Sequence, residues 1–167
     1  FLKFFCLSLL LTFVFLILNS FFQYIFYFYF LGNKYDGIRL SSVFGDEKIL
    51  GSYVSRLAPL FIGLIFIVFK NNNKIVYLSI IILVFIDLLV YLSGERAAFF
   101  NLLFFSLILI FFTYSYKKIR VIALVISIVL ISLLSLYNKT TFERMITKTI
   151  QQTNIMNDKP NLFSIQH

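Results

Sequence analysis

Arg39, Arg56 and Arg96 stand in or beside two polar islands, residues 35–56 and 92–98, of an otherwise apolar chain. A guanidinium offers its N–H donors as a planar fork that matches phosphate oxygens two at a time, so three gathered together would clamp a phosphate or pyrophosphate. Other reactive groups are few. The single histidine, His167, is the last residue, and the single cysteine, Cys6, has no partner for an internal disulfide. No P-loop, GxSxG, cysteine pair or dinucleotide fingerprint occurs. One histidine without an acidic residue at ligand spacing leaves a metal site unsupported.

The elements that must hold these arginines are not those of a soluble domain. The 167 residues are 60% hydrophobic and 13% charged, with mean hydropathy +0.94, whereas soluble domains carry roughly 25% charged residues. The 23 phenylalanines fit AT-rich codon usage and carry no functional meaning by themselves. Apolar runs near the length of a bilayer span cover approximately 4–30, 50–69, 75–92, 97–116 and 120–137. The first is far longer than the apolar part of a signal peptide, and no small-residue cleavage site follows it. The expected fold is therefore all-α: a polytopic helical membrane protein with about five transmembrane helices. The chain starts at Phe1 rather than Met and reads as an N-terminal or central fragment, inactive alone.

Loop charges orient the spans. Lys3, Lys70 to Lys74 and Lys117 to Arg120 carry only positive charge, while Asp36, Asp46, Glu47, Glu95, Glu143 and Asp158 fall in the other set of loops. The positive-inside rule then puts the N-terminus, 70–74 and 117–120 in the cytoplasm, with 31–49, 93–96 and 138–167 outside. The net charge of +8 is explained by such membrane anchors and implies no nucleic-acid partner.

Asp87 is the acidic exception, and depth suggests a partner. Arg56 lies 13 residues before Phe69, about 20 Å along a helix, and Asp87 lies 12 residues after Ile75, about 18 Å along the next. Unpaired charges at that depth are costly, so Arg56 and Asp87 are expected to face each other as an ion pair. Arg56 would also face a cavity open to an anionic substrate. Pro59 should kink α-helical structure or begin its regular part. Asp46 is the expected cap of that span, with Glu47 in its first turn. Such a bent start either presents backbone amides to an anion or is an ordinary helix entrance, and both readings stand. The Glu95–Arg96 pair at the second island would be worth little if exposed. Beyond span five, residues 140–150 read as an amphipathic helix with a Thr140–Glu143 capping box. Its apolar face would comprise Phe142, Met145, Ile146, Thr149 and Ile150.

Arg39-Leu-Ser-Ser-Val-Phe-Gly-Asp-Glu-Lys-Ile-Leu-Gly-Ser-Tyr-Val-Ser-Arg56, followed about 35 residues on by Leu92-Ser-Gly-Glu-Arg-Ala-Ala98, resembles the bacterial O-antigen polymerase and O-antigen ligase family over residues 35–167. Ser42 departs from the glycine common there. The resemblance implies a GT-C-like membrane glycosyltransferase of lipopolysaccharide or related polysaccharide synthesis, in the bacterial inner membrane with residues 138–167 periplasmic. Its donor would be an undecaprenyl-diphosphate-linked glycan, with lipid A-core as the acceptor of a ligase, and no cofactor. By that likeness Arg39 and Arg96 would hold the diphosphate leaving group, with Arg56 beside them. His167 would activate the acceptor hydroxyl as the catalytic base. The competing expectation is a polysaccharide flippase or other multispanning transporter.

Overall fold

At membrane depth a backbone finds no water, so an apolar run must close its own hydrogen bonds as a helix. The computed structural model describes residues 1–27, 39–69, 73–112, 117–137, 139–147 and 149–150. Within them lie α1 (Leu2–Phe26), α2 (Leu50–Val68), α3 (Asn73–Leu92), α4 (Arg96–Phe112), α5 (Lys117–Tyr137) and α6 (Lys139–Phe142). The last runs on as a π-helical turn, Glu143–Thr147. No strand occurs among the described residues. The first five helices hold 25, 19, 20, 17 and 21 residues. The protein is thus all-helical. Among the described residues, α1 and α2 are long and apolar enough to cross a membrane, and Arg120–Leu136 with Thr140–Thr147 would be a third if that pair, bent by 116°, counts as one span. Ile81–Leu92 and Arg96–Phe111 are shorter apolar helices.

The end of α1 departs from the expected span, and Pro59 lies inside α2. α1 stops at Tyr27, which turns left-handed (φ 59°) and donates its N–H to the Gln23 carbonyl at 3.0 Å; residues 28–30 lie outside the described ones. α2 continues past Pro59, so its regular part does not begin there. One lost N–H is tolerated where neighbouring helices support the rest.

Polarity is inverted relative to a water-soluble domain. Large apolar side chains stay uncovered along α1 (Leu7, Leu11, Phe15, Leu18), α4 (Phe104, Leu107, Phe111) and α5 (Ile122, Val125, Val129, Leu133). Serines, by contrast, are buried: Ser20, Ser55, Ser79, Ser106 and Ser127. Small hydroxyl residues let helices approach and can bond carbonyls of their own turn; Ser20 donates to the Leu16 carbonyl and Ser106 to that of Leu102. α3 is the hub, packed against α1, α2, α4 and α5. Phe13 of α1 meets Phe61 of α2 with ring centroids 4.9 Å apart, and Phe21 stands edge-on to Phe85 of α3 at 5.5 Å.

The buried charge pairs with a different arginine from the expected one. Asp87 of α3 accepts from both terminal nitrogens of Arg120 of α5, at 3.1 and 3.0 Å. Arg120 also donates through Nε to Ser106 Oγ of α4 at 3.0 Å, with Nη2 on the same hydroxyl. The two side chains are only 2% and 6% exposed. Arg56 is instead exposed. Depth arithmetic put Arg56 and Asp87 at one level but said nothing of direction around each axis. α2 buries Leu50, Val54, Ala58, Phe61, Ile62 and Ile65; Arg56 lies off that face. Arg120, the fourth residue of α5, belongs to the helix rather than to a basic loop, and its long stem carries the guanidinium inward.

Removing one partner of such a pair strands a buried charge, whereas removing both does not. Arg120→Met should therefore cost about 3–5 kcal/mol, and adding Asp87→Leu should return most of it. Unfolding of the purified protein in mixed micelles titrated with dodecyl sulfate checks this; a double variant as weak as the single would refute the arrangement. Arg56→Ala should leave the same transition unmoved.

Candidate functional site

The two polar islands meet at one end of the bundle. The segment from Arg39 to Ile49 is anchored first on α1. Gln23, fully buried, accepts at Oε1 from the N–H groups of Ser42 (2.7 Å) and Ser41 (3.3 Å), and Asn19 donates to Ser42 Oγ at 3.2 Å. These bonds hold Ser42 at φ 54°, a left-handed conformation in which glycine meets no penalty. Here a serine takes that conformation, and its hydrogen bonds to Gln23 and Asn19 offset the strain. A short 3₁₀ turn, Ser42–Phe44, and Gly45 at φ 58° then bring the chain to α2.

The second island is the link from α3 to α4. Gly94, at φ 68°, ends α3 by donating its N–H to the Tyr91 carbonyl at 3.1 Å. The reversal aims Glu95 at the first turn of α2. Its carboxylate accepts from the backbone N–H of Gly51 (2.8 Å) and Ser52 (3.0 Å) and from the Ser52 hydroxyl. The first N–H groups of a helix have no partner within it and carry partial positive charge. Glu95 thus caps α2 from 43 residues away in sequence. The expected cap, Asp46, does not serve: α2 begins at Leu50 and its first turn contains no acidic residue. Gly51 is required by this contact, because an added Cβ would overlap Ser93 Oγ and press on Glu95. Of the two readings of the bent helix start, the amides are presented to an anion, and that anion is the protein's own carboxylate.

Arg39 closes the arrangement. Its Nη2 lies 3.8 Å from Glu95 Oε1 and donates to the Lys48 carbonyl at 3.0 Å, while Nε donates to the Ser93 carbonyl at 3.1 Å. One side chain, 18% exposed, therefore ties the first island, the approach to α2 and the α3–α4 turn. Leu40 adds a backbone bond to the Leu92 carbonyl at 3.4 Å. On the other side of Gly94, Arg144 of the π-helical turn donates to the Gly94 carbonyl at 3.1 Å. A Cβ at Gly94 would stand 3.3 Å from both Arg39 Cγ and Arg144 Cδ; the turn is held between two arginine stems.

Of the three arginines expected to converge, Arg39 meets the second island directly and Arg96 follows it as the half-buried first residue of α4. Arg56 makes no bond to this cluster among the described residues. It projects from α2 one turn below Ser52 into an adjoining cleft. His167 lies outside the described residues. Arg144 is the member that sequence reasoning missed, since it was counted within an amphipathic helix. That helix is π-wound over Glu143–Thr147, so its facing differs from a 3.6-residue pattern: Thr141 and Met145 turn inward, and Phe142 and Ile146 stay exposed. Comparison with protein-family models, curated proteins and solved structures finds no match to this chain.

Glu95→Gln keeps the shape but leaves one amide of α2 facing an NH₂ group and removes the charge opposite Arg39. Losing hydrogen bonds to a charged group costs about 1.5–3 kcal/mol. Hydrogen exchange at Gly51 and Ser52 should accelerate accordingly while the amides near Ile62 stay protected. Unchanged exchange at the first turn would show that Glu95 does not cap α2.

Proposed function

We propose that the chain is part of a membrane glycosyltransferase that transfers or polymerises an undecaprenyl-diphosphate-linked glycan at the periplasmic face of a bacterial inner membrane. The observation that carries this reading is the meeting of the Arg39 segment with the Ser93–Arg96 turn. These are the two stretches whose residues resemble the O-antigen polymerase and ligase family. Their contact, through the Arg39 bonds to Ser93 and Glu95, fixes the Arg39 guanidinium beside the start of α4, where Arg96 stands. In the reaction a sugar carbon is attacked by an acceptor hydroxyl, the bond to the diphosphate oxygen breaks, and negative charge grows on the leaving group. Arg39 and Arg96 would neutralise that charge without needing to reorganise. Glu95 holds Arg39 in place, and His167 takes the acceptor proton on the strength of the resemblance alone. Five spans, a cytoplasmic N-terminus and a periplasmic 138–167 segment belong to this proposal.

The test is a lipopolysaccharide gel from the source bacterium lacking the full-length gene, complemented with wild-type or variant alleles expressed to equal levels. Loss of the ladder is expected, with core carrying one repeat for a polymerase or none for a ligase. Arg39→Ala and Arg96→Ala should fail to restore it by a factor of about 10²–10³ in product, the effect of removing one donor to a developing anion. A ladder unchanged by the deletion would overturn the proposal.

A further inference from the structure

Arg56 is the charge that the site above does not use. It lies six residues into α2 from Leu50, about 9 Å along the axis, on the stripe that no described residue covers. Tyr53, Leu60 and Ile67 share this exposed stripe, spaced as one face of a helix. Arg56 makes no ion pair among the described residues; the described pairs are Arg39 with Glu95 and Arg120 with Asp87. An arginine in an apolar stripe lifts its guanidinium along its stem toward the polar boundary of the bilayer. There it would attract an anion.

The surroundings specify which one. Arg56 lines an open cleft of ≈ 390 Å³ with Ile49, Ser52, Tyr53 and Leu57. The guanidinium and the Tyr53 phenol supply donors, and Ile49 and Leu57 supply an apolar wall. Tyr53 is braced by Phe44, with ring centroids 5.3 Å apart. Ser52 is held from its far side by Glu95, whose charge is already matched by Arg39 and the amides of α2. Donors above an apolar wall, on a lipid-facing stripe near a helix end, suit a phosphodiester whose acyl chains run down the same helix. We propose that this cleft binds the headgroup phosphate of an anionic phospholipid from the surrounding leaflet, separately from any substrate held near Arg39. The assignment does not rest on the glycosyltransferase reading.

Delipidated full-length chain in detergent, titrated with phosphatidylglycerol or phosphatidylcholine and read by native mass spectrometry, tests this. Phosphatidylglycerol should be retained about fivefold more than phosphatidylcholine, the effect of one basic side chain at an anionic surface. Arg56→Gln should abolish that preference, as should Leu57→Trp, which fills the cleft and keeps the charge. Lys48→Gln, a matched loss of charge outside the cleft, should leave it intact. Inorganic phosphate in large excess should not displace the lipid. A preference that survives both cleft variants, one lost equally in Lys48→Gln, equal retention of the two lipids, or displacement by free phosphate would each overturn the assignment.

Discussion

A carboxylate and a guanidinium that meet inside an apolar helix bundle constrain far more than their own rotamers. Asp87 and Arg120 make two parallel hydrogen bonds, and Arg120 takes Ser106 as a third anchor. Three helices are thereby locked in height and in rotation, because a register slip of one residue would leave a charge facing hydrocarbon. Apolar contacts alone do not discriminate so sharply: phenylalanine and leucine pack nearly as well one turn up or down. In lipid the hydrophobic drive between helices is also weak, since acyl chains are as apolar as the side chains. Specificity must come from polar groups that are satisfied in one arrangement only.

The same logic recurs where α2 begins. There Glu95 satisfies two amides and a hydroxyl of α2, and Arg39 satisfies Glu95 and two carbonyls. The buried Asp87–Arg120 pair sets how α3, α4 and α5 stand. The terminal cluster then sets how the α1–α2 connector and the α3–α4 turn lie across them. Of the arginines at this end, Arg96 opens α4, while Arg39 sits in the connector and is held by its bonds to Ser93 and Lys48.

Much of the architecture was legible in the chain itself. Runs of apolar residues, bounded by lysines or by short polar islands, located α2 to α5 to within a few residues, because length and hydropathy are one-dimensional properties. Partners are not. The Asp87 level was readable, but its direction around α3 was not, so Arg56 was favoured over Arg120. Lys117 and Lys118 beside Arg120 suggested a basic loop, and the burial of Ser106, its other partner, could not be read from an apolar run. The cap of α2 comes from Glu95, which no local pattern around Asp46 could reveal. The left-handed turn at Ser42 was not legible either, because serine gives no sign of a positive φ. Arg144 was hidden by a π-helical turn, which breaks the periodicity used to assign faces.

The spacing of the central pair bears on how the chain is made. Asp87 precedes Arg120 by 33 residues, so α3 emerges during synthesis before the helix that neutralises it. Until α5 follows, the acidic segment lacks the Arg120 guanidinium, and its carboxylate is satisfied only once the three-helix unit is complete. The packing of α3, α4 and α5 against one another is thus coupled through one carboxylate. The order of translation becomes part of the folding code, with Asp87 holding the place that Arg120 completes.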